Sequence, residues 1–401
     1  MASRLARIFF LALATALLLY YHSAFLAFTG FGRESQSEAT TVIQWPIPPK
    51  PPSAGAFKDP IPDSKPAAQD NAASDGSDSA FNELKFPFQE DLMQYRQPNL
   101  PISTLTKYAP HNDHGAGQYA YATYLSTRNN SIHDPYFLSA QQLVYRLLWD
   151  PVSRSAFHPI VVFVAPFIPE EQRDILRAQG AIVRELELVP WDPPKNEDGD
   201  IFPFARWRDL FSKLNIWAQT DFSRIVFLDL DAFPVQNLDT IFDESVAPRQ
   251  KCNTALLPAA DKAHAKEICD YVWAGTGGQG GINVGVVVLE PNKYMHARLL
   301  RESQDTTKFD NKMAEQAFLN YAFDEAGPFP PTSLGREWNG YWPKPEDEGK
   351  VKIVHEKLWI LGEGWTKGIF AKGWNEILEL YESERFVEMR KLDGALKTGF
   401  F

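Results

Sequence analysis

Cysteine is nearly absent: Cys252 and Cys269 are the only two in 401 residues. That excludes a disulfide-stapled framework and a zinc site built mainly from thiolates. Spacing alone leaves open whether the two form one bridge or stay as separate buried thiols. A basic excess is missing as well. Lys and Arg number 40 against 51 Asp and Glu, for a net charge of −11. A nucleic-acid partner normally requires a basic face, so none is expected. No internal repeat is visible. With 44% apolar and 23% charged residues, the chain can bury a sizeable core, as one large domain or two small ones.

One long apolar run is present. Residues 8–32 contain no formally charged side chain, and His22 is their only strongly polar one. About 20 such residues span a bilayer's hydrocarbon core. Arg4 and Arg7 precede the run, and Arg33 and Glu34 follow it. The short basic end is expected to stay cytoplasmic and the rest to be lumenal. A cleaved signal peptide is the competing reading, but its apolar region would be about 7–15 residues with small residues at the cleavage site. Here the run is longer and ends in bulky Phe25 and Phe28. The expected organisation is a cytoplasmic tail at 1–7, a transmembrane signal anchor at 8–32, a stem at 33–90 and a globular domain at 91–401. The stem is rich in Pro, Ser, Ala and Asp, a composition that cannot bury enough apolar surface to offset chain entropy. Asn129-Asn130-Ser131 is a glycosylation acceptor in a lumenal domain.

From about Ala116 strand and helix signals alternate. QYAYATYLS, PIVVFVA, AIVREL, RIVFLDL, TALLPA, INVGVVVLEP and VKIVHE read as strands. Helices are expected over Asp134–Trp149 with Asp134 as cap, at IPEEQRDILRAQG, along the stripe Trp207 to Trp217, and over Pro291–Glu302, Ala314–Asp324 and Trp374–Leu392. That rhythm predicts an α/β domain around a mostly parallel sheet.

The informative segment is RIVFLDLDAFPVQNLDTIFD, where an apolar strand runs into Asp229-Leu230-Asp231. Open α/β sheets bind ligands at the carboxyl ends of strands. If strand geometry persists to Asp231, both carboxylates emerge on one face with Leu230 directed into the core. Two carboxylates on one hard cation leave coordination positions for phosphate oxygens, which suits a nucleoside-diphosphate leaving group. Asp-x-Asp alone is common as turn or cap chemistry.

VFLDLDAFPVQNLDTIFD resembles the donor-binding segment of glycosyltransferase family 8, the glycogenin-like retaining enzymes of the GT-A (Rossmann-like) fold. FSKLNIWAQTDFSRIVFLD, GGINVGVVVLEPN, AEQAFLNYAF and VKIVHE resemble further motifs in the family's order, so the likeness covers roughly residues 120 to 365. It points to a membrane-anchored, fungal-type member.

The resemblance implies Asp229, Asp231 and His355 as metal ligands. A two-Asp, one-His set favours Mn²⁺, with Mg²⁺ as the alternative, because imidazole suits the softer ion. It further implies that Lys213, Asp229 and Asn283 contact the donor, that Glu315 and Gln316 lie by the transferring sugar as catalytic residues, and that Tyr121 and Thr123 lie by uracil and ribose. The family usually follows its late histidine with Gly and Lys-Pro-Trp. Here the run is His355-Glu-Lys-Leu-Trp, so the diphosphate contact is expected from Lys357 or Lys367. Trp338, Tyr341, Trp342, Trp359, Trp365 and Trp374 crowd the C-terminal part and suit either acceptor stacking or core packing.

The expectation is a retaining, Mn²⁺-dependent transferase on the Golgi membrane, single-pass type II, with a UDP-hexose or UDP-N-acetylhexosamine donor and a glycan or glycoprotein acceptor. An inverting GT-A enzyme, with Glu315 or Asp310 as base, and an inactive membrane-anchored sugar-binding or scaffold protein are the alternatives.

Overall fold

The computed structural model describes residues 89–191, 207–278, 280–309 and 313–396. The apolar run 8–32, nearly all of the proposed stem and Asp310 lie outside the described residues. Among the described residues no helix is long and apolar enough to cross a membrane.

A seven-stranded sheet carries the domain, in the order β10-β8-β9-β4-β1-β2-β3. Its strands are β1 (Tyr119–Leu125), β2 (Ile160–Val164), β3 (Ile182–Glu185), β4 (Arg224–Leu228), β8 (Trp273–Gly278), β9 (Gly281–Leu289) and β10 (Thr332–Leu334). From β3 to β4 all neighbours are parallel. β10 also pairs parallel with β8, while β9 runs against both β4 and β8, so the sheet is mostly parallel, as expected, with one reversed strand. The cause is local. β8 and β9 are joined by a short turn in which Gly280 and Gly281 have φ of 73° and 137°, and so tight a connection forces antiparallel pairing. β2 and β4 are buried along their whole length, as expected of strands covered on both faces.

Helix α1 (Pro135–Leu148) packs on β1 and β2 and is buried throughout. Its cap is Asp134, whose carboxylate accepts from the N–H groups of Tyr136 and Phe137. α2 (Glu170–Ala178) follows β2, α3 (Lys293–Ser303) follows β9, and α4 (Ala314–Ala322) packs on β9. The Trp207–Trp217 stripe forms one α-turn, Trp207–Leu210, and then tightens to 3₁₀ over Phe211–Ala218. The helix expected over Trp374–Leu392 is two, α5 (Ile369–Tyr381) and α6 (Glu384–Lys391). Ser383 separates them, its hydroxyl capping the N–H of Phe386. TALLPA is not a strand. Asn253 accepts from the N–H of Ala255 and starts a 3₁₀ turn at Thr254–Leu256, an Asx-type local bond that competes with strand pairing.

Two small sheets complete the fold. β5 (Ala232–Pro234), β11 (Gly340–Tyr341) and β12 (Ile353–His355) form one, in the order β11-β12-β5. β6 (Gln250–Lys251) pairs with β7 (Asp270–Tyr271). Beside that pair the two cysteines meet in a disulfide, with Cα atoms 4.6 Å apart and the Cys252 N–H donating to the Cys269 carbonyl at 3.1 Å. The bridge closes a loop with a sequence separation of 17. Replacing both cysteines with serine is expected to lower unfolding free energy by about 3 kcal/mol, the entropy cost of reopening a loop of that size. Urea unfolding of the double variant against wild type measures it.

Candidate functional site

The acidic pair converges through a turn rather than by strand alternation. β4 ends at Leu228, one residue before Asp229. Asp229 to Ala232 then form a tight turn closed by the Ala232 N–H donating to the Asp229 carbonyl at 2.9 Å. Leu230 is still buried, as expected of the residue between the two carboxylates, but the backbone reverses to place it there. From Ala232 the chain runs into β5, which pairs antiparallel with β12 so that Ala232 faces His355. The Glu356 N–H extends this pairing to the Asp231 carbonyl at 2.9 Å. One ligand atom from each of Asp229, Asp231 and His355 thereby lies within 4.8 Å of the others. The imidazole Nε2 is 3.3 Å from an Asp231 oxygen. Two carboxylates and one imidazole, partly buried, form a donor set that fits Mn²⁺.

His355 is oriented from behind. Its Nδ1 is 2.9 Å from Oδ1 of Asn339, and Nδ2 of Asn339 donates to Oδ1 of Asn283 at 2.9 Å. Asn283 Oδ1 also accepts the N–H of Gly285 at 3.0 Å. With the Asn339 amide nitrogen facing a carbonyl oxygen, its own oxygen faces the imidazole. The proton then sits on Nδ1, and the Nε2 lone pair is free for a cation. Asn339 is fully buried, and nothing in the sequence reading singled it out. It lies inside an aromatic run, REWNGYW, whose tryptophans and tyrosine drew the attention. Gly285 makes room for the ring: a Cβ there would come 2.1 Å from Cε1 of His355.

Lys213 is buried between two carboxylates. Nζ donates to Asp229 at 2.7 Å and to Glu315 at 2.6 Å, and it lies 5.0 Å from the centre of the Phe227 ring. Burial alone would lower its pKa; Asp229 and Glu315 overturn that and hold it above the ordinary lysine value, so it stays cationic. Glu315 is pushed up by its own burial, and the nearby Asp229 acts in the same direction against the pull of Lys213. Glu315 is thus paired with Lys213 and holds it in place. Gln316, next along α4, accepts the Val284 N–H at 3.1 Å through Oε1. One turn on, Asn320 accepts from the Ile282 N–H and donates to its carbonyl, both at 3.1 Å. This i, i+4 pair fastens α4 to the strand that carries Asn283 and Gly285.

Lys357 is the lysine at the acidic turn. It donates to Asp231 at 2.7 Å, whereas Lys367 is exposed. Burial would raise the Asp231 pKa, but the Lys357 ammonium beside it holds it well below the usual carboxylate range. Two lysines thus face three carboxylates, with the His355 imidazole beside Asp231.

Tyr121 and Thr123 are fully buried in β1. The Tyr121 hydroxyl donates to Asp239 at 2.9 Å, and its ring meets Phe242 edge-on. The Thr123 hydroxyl has no hydrogen-bond partner. Of the crowded tryptophans, Trp338, Trp359 and Trp374 are core, Trp365 is half-buried and Trp342 is exposed.

No protein-family model matches the chain. In sequence it is 27% identical over 310 residues to an uncharacterized protein of Schizosaccharomyces pombe, spanning 67% of this chain and 82% of that one. It is 31% identical over 215 residues to galactinol synthase 6 of Arabidopsis thaliana, covering 49% of this chain and 61% of the synthase. The chain thus spans about three fifths of the galactinol synthases it matches. Among solved structures, the apo-form glycosyltransferase GlyE of Streptococcus pneumoniae TIGR4 aligns over 71% of this chain and 67% of its own at 15% identity, with a TM-score of 0.44.

If Asn339 sets the His355 tautomer and Gly285 seats its ring, Asn339→Leu and Gly285→Ala should each weaken Mn²⁺ binding about 10- to 100-fold, the usual loss when a ligand's supporting partner is removed. Titration of Mn²⁺ followed by electron paramagnetic resonance reads the affinity directly, without turnover.

Proposed function

We propose that this chain is a glycosyltransferase that moves a hexose or N-acetylhexosamine from a UDP-sugar to a glycan or glycoprotein acceptor. The observation that carries the reading is the assembled set of Asp229, Asp231 and His355, with its imidazole oriented by a buried relay and two lysines at its edge. The likeness to galactinol synthases supports transfer chemistry from a second direction.

In this reading Asp229, Asp231 and His355 hold Mn²⁺, and the chemistry the ion supplies is neutralisation of the departing diphosphate. Lys213 fixes Asp229 and stays charged, so the site keeps a permanent cation beside its ligands. Lys357, paired with Asp231, is the cation we assign to the diphosphate. Asn283 and Gln316 each have a carboxamide oxygen engaged by backbone or side-chain donors, leaving their amide N–H groups to hydrogen-bond the donor sugar.

Retention of configuration is proposed on the same grounds. Glu315, one of the two carboxylates offered as a base, is buried and paired with Lys213; the other, Asp310, lies outside the described residues. Attack from the front face then breaks the bond between the anomeric carbon and the diphosphate oxygen as the acceptor oxygen bonds to that carbon. The acceptor's proton passes to the leaving diphosphate. A scaffold without activity would have no use for a ligand histidine held in one tautomer by a fully buried asparagine.

We further propose a single-pass type II placement in the Golgi membrane, with residues 8–32 as the anchor. The apolar run and its flanking arginines support the topology. The Cys252–Cys269 disulfide supports an oxidising compartment for the domain.

The test is turnover of UDP-sugars by the purified full-length chain. At least one donor should be consumed with Mn²⁺, lose turnover with chelator and regain it on metal addition, more with Mn²⁺ than with Mg²⁺. Asp231→Asn should lower the rate by about 100-fold or more, as expected when charge stabilisation at the leaving group is removed. Failure of every donor to bind or react, or an Asp231→Asn variant as active as wild type, would rule the enzyme reading out. Proton NMR of the product anomer separates retention from inversion.

A further inference from the structure

We infer that Trp342 is the platform on which a pyranose ring of the acceptor stacks, and this rests on the glycosyl-transfer reading above. Trp342 is 73% exposed, which sets it apart from the buried tryptophans of the same region. Its φ is +47°, in the left-handed region that bulky side chains rarely adopt. A single exposed apolar side chain needs no explanation by itself. One held in a strained backbone by several polar contacts does.

The contacts are specific. The Trp342 N–H donates to the His355 carbonyl at 3.3 Å. The Arg336 guanidinium donates to the carbonyls of Tyr341 at 3.1 Å and Trp342 at 3.3 Å. Arg336 is itself fixed by both oxygens of Asp347, at 2.9 and 2.6 Å. Tyr341 stands opposite His355 in the β11–β12 register, and its hydroxyl donates to the Gly277 carbonyl at 2.9 Å. Its ring meets the indole edge-on, with centroids 6.1 Å apart. Trp365 anchors the neighbouring loop by donating to the Lys344 carbonyl at 2.9 Å. The backbone that presents the indole is therefore tied directly to a metal ligand, while the indole itself faces solvent.

An indole face is apolar with a negative quadrupole. It complements the C–H face of a neutral pyranose, whose hydroxyls remain at the ring edge for solvent and polar side chains. The donor's diphosphate and sugar are accounted for by the lysines and carboxamides around Asp229, Asp231 and His355. The acceptor is the substrate left without a recognising surface, and an exposed aromatic whose backbone is bonded to His355 supplies one.

The test compares Trp342→Ala and Trp342→Phe with wild type in the full-length chain, using methyl α- and β-pyranosides of glucose, galactose and N-acetylglucosamine as acceptors. In Trp342→Ala the KM for the accepted pyranoside should rise about tenfold, the loss expected of one aromatic stacking contact. Phe should restore most of that loss, and the KM for the UDP-sugar should hold. An equal rise in the UDP-sugar KM would instead put the indole in the donor site and overturn the proposal. An unmoved acceptor KM overturns it too, as does a wild-type enzyme that hydrolyses a UDP-sugar but accepts no pyranoside. Saturation-transfer NMR with the same methyl pyranosides reads binding without a donor. Signals present in wild type and lost in Trp342→Ala are expected, and equal or absent binding in both proteins overturns the platform. Wild-type protein that binds pyranosides through Trp342 yet turns over no UDP-sugar would sink the transferase reading alone.

Discussion

The site depends on one pairing, that of β5 with β12. Asp229 and Asp231 arrive at the end of a buried strand, but His355 is far away in the chain. Antiparallel pairing sets Ala232 opposite His355, and this carries the imidazole to within 3.3 Å of Asp231. β11 then pairs on the far side of β12, bringing the Asn339–Trp342 segment alongside. The cluster of Asp229, Asp231 and His355, the Asn339 relay and the exposed indole are thus hung on a three-stranded sheet of short strands. Strands this short have little stability alone, so packing must hold them. Ile353, Val354, Ala232 and Phe233 are all fully buried.

A second constraint comes from the reversed strand β9. It lies between β4 and β8, and Asn283 and Gly285 project from its first half. α4 is fastened to the same stretch by Gln316 and Asn320, so Lys213 and its partner Glu315 are held relative to the acidic turn. The charges balance in the same way. Lys213 and Lys357 each bind one aspartate of the pair, and Lys357 holds the Asp231 carboxyl well below its usual range against the pull of burial. A buried pair of carboxylates without such partners would tend to share a proton and bind a cation less well.

The tryptophan-rich C-terminal part shows how one composition has several fates. Trp338 and Trp374 fill the core, and the Trp374 ring nitrogen donates to the Arg96 carbonyl. Trp342 differs: Arg336 and His355 hold its backbone, and the indole is exposed. Burial is the default for tryptophan, and Trp342 departs from it.

Much of the fold was legible in the sequence because hydrophobic periodicity is a local signal. β1, β2, β4, β9 and helix α1 with its Asp134 cap follow from residue patterns read within one segment. The acidic pair and the late histidine were also visible, since residue order is all that a motif requires. What the sequence could not determine were contacts between distant segments and departures from regular geometry. The turn at Asp229–Ala232 replaces strand alternation because β5 must swing over to meet β12. The break at Ser383 and the 3₁₀ turn at Thr254–Leu256 were decided by single side-chain caps outweighing a longer apolar pattern. Asn339, Lys357 as the partner of Asp231, and Glu315 as a buried support for Lys213 emerged only in three dimensions. Their roles are set by which groups burial leaves them to face, and burial is a property of the packed chain rather than of any one stretch of it.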